Sequence, residues 1–303
     1  MTTGVLVMAY GTPRAPEEIL PYYTDIRRGR RPTDEQLADL TRRYEAIGGS
    51  SPLATLTEAQ RDGLQDALDE RAPGDFVVEI GLKHADPKVE AGVAALAGHG
   101  VERIVGLVLA PHFSALSVGE YHARAAAAAE ATGIRFDGIE SWATEAAYVD
   151  FLAADVRRRL VALPTNTKVV FTAHSLPRRI LATGDPYPAQ LRATAAAVAG
   201  AAGLAPWSQW SVAWQSAGRT PEPWLGPDIL AVVDDLAASE RADGLLVCPC
   251  GFVADHLEVL YDLDVEARAR AEGLGLGFDR TSSVNADPVV LAALAARVIE
   301  RTA

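Results

Sequence analysis

The stretch "GLLVCPCGFVADHLEVLYDLDVEA" (244–267) passes from a short apolar run, closed by Pro249 and Gly251, into apolar residues at helical spacing. A run of that length reads as a strand buried on both faces, and Val259, Leu260 and Leu263 give the following helix an apolar half. Strand, tight loop and helix make half of a βαβ unit, the building block of a parallel sheet with covered faces. Seven further strands fit the same pattern: "GVLVMAY" (4–10), "FVVEIGL" (76–82), "RIVGLVLA" (103–110), "RFDGIES" (135–141), "KVVFTAHS" (168–175), "WSVAWQS" (210–216) and "GLGFDRTSS" (275–283). The last four strands repeat the first four in order, down to the endings "APHFS" and "PCGFV", each with a Pro shortly before a Phe. The pattern predicts an α/β fold of two Rossmann-like, doubly wound halves, 1–150 and 151–303, each with a four-stranded parallel sheet and facing a central cleft.

Loops at the carboxyl ends of such strands line the ligand crevice. Here they carry Tyr10, His84, His112, His174, Trp214 and "GFVADHLE". Residues 11–60 form a long insertion after the first strand, helical by period, expected to lie over the cleft as a lid.

Bulk properties narrow the function. The 303 residues are 49% hydrophobic, enough for a core without staples, and 28 basic against 40 acidic residues leave a formal charge of −12. A general affinity for nucleic acid or anionic lipid is therefore not expected. No apolar run approaches a membrane span and the first strand has no basic leader, which predicts a cytoplasmic protein without stable membrane insertion. Cys248 and Cys250 are too few for a disulfide framework or a four-thiolate metal site, and are expected as buried small hydrophobes on opposite faces.

The helix after 251 is unusually charged. Glu258, Asp262 and Glu266 follow one another at intervals of four, which on an α-helix stacks three carboxylates on one face, about 6 Å per step. A solvated face is the ordinary explanation; a column leading inward from a strand end is a path for a divalent cation, since hard oxygen ligands bind such ions and release them. His174, at a strand tip, is placed to take up a proton or ligate a metal, although a lone histidine is more often structural. Tyr10 ends the equivalent strand of the first half, in "AYGTP", where it either packs or faces the cleft. Arg27, Arg28, Arg30 and Arg31 crowd one turn, with Arg42, Arg43 and Tyr44 a helix later; guanidinium forks match carboxylates. Ser51 and Tyr121 add hydroxyl donors. No dinucleotide, P-loop or GxSxG signature is present, and His112 lacks the second histidine of a zinc motif.

Several long motifs, in order along nearly the whole chain, resemble those of the ferrochelatases, enzymes that insert ferrous iron into a porphyrin: "VLVMAYGTP", "YYTDIRRGRRP", "RYEAIGGSSPL", "GLKHADP", "LAPHFSALSVGEYH", "AHSLP", "GDPYPAQL", "WQSAGRTPEPWLGPD" and "GFVADHLEVLYD". The resemblance implies two Rossmann-like halves with the porphyrin between them. The stretch around "EEILPYYTDIRRGRRP" is charged rather than a hydrophobic lip, and "VIERTA" leaves no cysteine-rich tail for an iron–sulfur cluster. Both features match the soluble bacterial branch that metallates coproporphyrin III, whose four propionates suit an arginine-rich lid better than the two of protoporphyrin IX.

By motif, the resemblance implies that His174 and Glu258 handle the metal, with Asp262 and Glu266 in a ladder that delivers iron or holds a second divalent cation. It further implies that Tyr10 faces the iron opposite His174, and that Arg27, Arg43, Tyr44, Ser51 and Tyr121 serve mainly the propionates. The expected catalytic group is His174, Glu258 and Tyr10, with His174 accepting pyrrole protons. No permanently bound cofactor is implied: Fe2+ and porphyrin are substrates. The expected assembly is a monomer making transient contact with neighbouring heme-pathway enzymes. Cys250 departs from the motif, and its soft sulfur is expected to attract zinc or copper adventitiously. The rivals are a protoporphyrin IX ferrochelatase, a non-catalytic tetrapyrrole or heme carrier, and a two-lobed metal-binding protein.

Overall fold

All eight expected strands form, and each pairs with its neighbours in parallel. The computed structural model describes residues 2–218 and 220–302. In the first sheet β1 (Thr3–Ala9), β2 (Phe76–Leu82), β3 (Arg103–Val108) and β4 (Arg135–Ile139) lie in the order β2-β1-β3-β4. In the second, β5 (Thr167–His174), β6 (Trp210–Gln215), β7 (Gly244–Cys248) and β8 (Gly277–Arg280) lie in the order β6-β5-β7-β8. The orders are identical once β5 is matched to β1, so the repeat read from the strand endings is a repeat of topology. In each sheet the direction of winding reverses between the first and third strands of the set, and a crevice opens at such a switch point.

The chain divides into two compact units. The first comprises Met1–Trp142, Ala254–His256 and Asn285–Ala303, the second Ala143–Val253 and Leu257–Val284. The division at residue 150 is corrected in two places. Helix α6 (Ala146–Leu160) belongs to the second unit, where it packs against α7 (Tyr187–Ala202) and β7. The final helix, α11 (Pro288–Thr302), returns to the first unit because its apolar stripe Val290, Leu291, Leu294 and Val298 is buried against α3 (Leu53–Arg71).

Both faces of the first sheet are covered, as parallel sheets require. Leu6 and Met8 pack with Val93 and Leu96 of α4 (Val89–Gly98) and Ala125 and Ala129 of α5 (Val118–Ala131), while Val5 and Val7 are equally buried on the opposite face. In the second unit Val170, Leu245 and Val247 pack with Val233 of α8 (Ile229–Ser239) and with Val259 and Leu263.

The insertion is helical, with α1 (Ile19–Ile26) and α2 (Asp34–Ala46), the latter opened by a Thr33–Gln36 capping box. Its expected end at 60 is corrected: α3 buries Thr57, Gln60, Leu64 and Leu68 and packs on β2, so the chain has rejoined the sheet by residue 53. The acidic helix is also not a plain α-helix. A short α9 (Leu257–Leu260) runs into a π-helical segment, Asp262–Ala267, then α10 (Arg268–Gly273), and the Tyr261 carbonyl accepts from both Val265 and Glu266. No helix among the described residues is long and apolar enough to cross a membrane.

Candidate functional site

In the second unit the switch point lies between β5 and β7; His174 is the last residue of β5, and Glu258 lies in α9, which follows the loop leaving β7. His174 Nδ1 lies 2.5 Å from the Ser175 carbonyl and donates to it, which directs Nε2 to Glu258 Oε1 at 3.5 Å. About a third of each side chain is exposed, 34% and 35%. Burial alone would lower the histidine's pKa, but the Glu258 carboxylate, with further help from the Ser175 carbonyl and Asp262, raises it to about 9. In the free protein His174 is therefore an imidazolium at neutral pH, and a carboxylate stands ready to take its proton. The Tyr187 hydroxyl donates to the His174 carbonyl at 3.0 Å, and the Trp224 ring is tilted against the imidazole at 6.4 Å.

The three carboxylates stand in different surroundings. Asp262 is buried and accepts from Ser216 Oγ at 2.5 Å, whereas Glu266 is exposed to solvent. Among the described residues no three His, Cys, Asp or Glu side chains converge as a ready metal cage. Sequence reading missed Thr172, Gln215 and Ser216: Thr172 Oγ1 donates to Gln215 Oε1 at 2.7 Å, and Gln215 Nε2 donates to the Glu258 carbonyl at 3.2 Å. Their only signal was polarity at strand positions otherwise filled by apolar residues.

The cysteines require a correction. Residues two apart on a strand share a face, and the Cys250 amide also closes a turn onto the Cys248 carbonyl at 2.8 Å. The two thiols hydrogen-bond, both side chains are fully buried, and burial pushes the Cys250 thiol well up from its ordinary pKa. A protonated, enclosed sulfur is not the soft thiolate ligand expected.

In the first unit Tyr10 follows β1 and is 42% exposed. Gly11, at φ +86°, turns the chain so tightly that an added Cβ would lie 2.7 Å from that of Ala85. The phenol ring is tilted against His84, their centroids 4.6 Å apart. His84 Nδ1 meets Asp25 Oδ2 at 2.7 Å, and Lys88 Nζ holds the other oxygen at 3.0 Å. Burial, assisted by the nearby lysines, keeps His84 below its ordinary pKa and hence neutral. Tyr121 is buried beneath Lys83, whose Nζ stands 5.4 Å from the ring centroid, and burial raises its hydroxyl pKa.

The remaining predicted residues are placed unevenly. Arg27 and Arg30 brace their own turn, each Nε donating to the other's carbonyl at 3.2 and 3.3 Å, and Arg27 lies over Tyr23. A concavity of about 510 Å³ beside that turn is lined by Leu20, Pro21, Thr24, Asp25, Gly29 and Arg31. Arg43 is half-buried near Asp39 at 3.4 Å. Tyr44 is buried, its hydroxyl 3.2 Å from that of Thr12, which ties α2 to the Tyr10 loop. Ser51 is buried and accepts from the Leu53 amide at the start of α3.

The ferrochelatase family model matches residues 2–302. A coproporphyrin III ferrochelatase of Halalkalibacterium halodurans is 45% identical over 99% of this chain and 97% of its own. One of Bacillus subtilis is 44% identical over 98% and 97%. Among solved structures, SirB from Bacillus subtilis with Fe3+ superposes with a TM-score of 0.59 at 14% identity, over 100% of this chain and 96% of that one. CbiX, the terminal enzyme of siroheme biosynthesis in denitrifying bacteria, gives 0.54 at 14% identity over 99% of each chain. At that identity the two structures attest the fold alone.

Proposed function

Because the chain belongs to the ferrochelatase family, we propose that it inserts ferrous iron into coproporphyrin III to give the iron coproporphyrin of heme synthesis. The observation that carries the reading is the His174–Glu258 pair at the β5/β7 switch point, 3.5 Å apart and within ion-pair distance. The substrate choice is supported by the names of the bacterial relatives and by the arginines of the 27–31 turn, which suit a ring with four carboxylates.

Metallation replaces two pyrrole N–H protons by Fe2+, so a cation must arrive and two protons must leave. Neutral His174 accepts the two pyrrole protons one after the other at Nε2 and passes each to Glu258 and on to solvent, and between transfers the freed Nε2 lone pair can meet the arriving iron. Asp262 and the exposed Glu266 continue the acidic path toward solvent, where they can hold a second divalent cation. Tyr10 presents its phenol to the metallated ring, with Tyr121, Arg27, Arg43, Tyr44 and Ser51 placing the propionates. Tyr44 and Ser51 are buried and act by fixing the loop and helix start they bind. In this reading no cofactor is resident, and the protein works in the cytoplasm as a monomer.

Anaerobic absorbance assays with Fe2+ and either coproporphyrin III or protoporphyrin IX test it. Fast turnover of coproporphyrin III alone is expected; turnover of protoporphyrin IX alone overturns the substrate assignment, and binding without turnover makes the protein a carrier.

A further inference from the structure

Gln215 is bonded to Glu258 and to Ser175, the neighbour of His174. In the β5–β6 register it stands opposite His174, and its carbonyl accepts from the Ser175 amide at 2.7 Å. Ser175 is the residue whose own carbonyl holds His174 Nδ1. The Gln215 side chain reaches the other way, donating from Nε2 to the Glu258 carbonyl at 3.2 Å. The amide cannot swing, because Thr172 Oγ1 donates to its Oε1 at 2.7 Å, and both side chains are 0% exposed. The next residue repeats the device one turn along: Ser216 Oγ donates to Asp262 Oδ2 at 2.5 Å. Ser216 adopts φ +58°, a left-handed conformation that a non-glycine residue keeps only where its surroundings impose it.

We propose that Gln215 and Ser216 are positioning residues for iron insertion, a two-residue ruler at the end of β6 that fixes Glu258 and Asp262 relative to His174. The proposal rests on the iron-insertion reading above. β7 pairs with β5 as far as Phe171 opposite Cys248, and the Gly251 amide donates once more to the Thr172 carbonyl at 2.9 Å, a contact made seven residues before Glu258. Three bonds of Gln215, two through its buried side-chain amide and one through its backbone carbonyl, carry the reference on to Glu258. A core needing only bulk at this position would take an apolar residue without a buried amide to satisfy. Displacing a reacting group by about 1 Å costs on the order of 10²-fold in rate, so the ruler should act on turnover and not on porphyrin affinity.

The test is Gln215→Met, which keeps length and loses both side-chain bonds, with Thr172→Val as a second variant that frees the amide and keeps side-chain volume. With Fe2+ and coproporphyrin III, kcat is expected to fall roughly 10- to 100-fold, with the KM for porphyrin and its Kd from fluorescence quenching within about twofold of wild type. Ser216→Ala should lower kcat likewise, and Ser216→Thr, which keeps the hydroxyl, should recover part of it. Wild-type kcat in both Gln215→Met and Thr172→Val overturns the proposal. So does a joint loss of porphyrin binding and turnover, which would make Gln215 a residue that only maintains the fold. Wild-type protein that binds coproporphyrin III without metallating it overturns the iron-insertion reading instead, and this inference with it.

Discussion

His174 and Glu258 set each other's protonation, and that coupling is where pH enters. Because the pKa of His174 is raised to about 9, its neutral, proton-accepting form is the minor one at neutral pH. The log of kcat/KM for metallation should therefore climb with pH and level off near 9. In Glu258→Gln the carboxylate that raises the pKa is gone and burial, which lowers it, remains, so the rising limb should move to lower pH while the maximal rate falls. A limb unmoved in Glu258→Gln would remove the coupling. The same shift bears on folding. A raised folded-state pKa gives stability fully present below the unfolded value of 6.5 and lost as pH rises through about 9. The Tm difference between wild type and Glu258→Gln should narrow over that interval. His174→Ala should abolish metallation while coproporphyrin III still quenches fluorescence on binding; near-normal turnover would deny the histidine its role.

At the scale of elements, the contacts that matter are those that bring backbones close. Gly251, in the loop between β7 and α9, sits so near the tip of β5 that an added Cβ would lie 2.3 Å from the Ala173 Cβ and 2.6 Å from its Cα. Ala173 precedes His174, so Gly251→Ala must push the two site-bearing segments apart. The expected cost is about 1–3 kcal/mol of stability by denaturant unfolding, with kcat reduced at least about tenfold. The π-helical segment works in the same neighbourhood, turning Asp262 inward to Ser216 and leaving Glu266 in solvent. Glu266→Gln should consequently change the KM for Fe2+ far more than the unfolding midpoint, whereas Asp262→Asn should disturb both.

For the whole molecule the decisive fact is that the first unit is completed by the last helix. Asn285 exchanges hydrogen bonds with Asp255 at 2.9 Å, Gln60 donates to the Asn285 carbonyl at 2.9 Å, and Leu291 packs over Gly63 of α3. Four α11 side chains, Val290, Leu291, Leu294 and Val298, are at most 3% exposed. At about 1.5–3 kcal/mol each, their burial supplies on the order of 6–12 kcal/mol as an upper figure, comparable with the whole stability of a domain. Deleting residues 285–303 should leave residues 2–142 open to limited proteolysis; a resistant fragment of that span would refute the dependence.

The sequence by itself determined the features written in local periodicity. The apolar runs and their Gly and Pro stops located all eight strands within a few residues, and the paired endings disclosed the repeat that the two sheet orders express. It also placed His174 at a strand end, where residues line the crevice of a parallel sheet, while the family resemblance supplied Glu258 as its partner. Only the tertiary structure decided what depends on partners distant in the chain. A spacing of four cannot reveal a π-helical turn, which the hydrogen bonds of Tyr261 determine. An apolar stripe at 290–298 does not say which sheet it covers, since any complementary face would bury it equally. The amide of Gln215 reads as an ordinary strand residue until Thr172, Ser175 and Glu258 close around it, because hydrogen-bond direction and reach are properties of the folded chain and leave no period in the sequence.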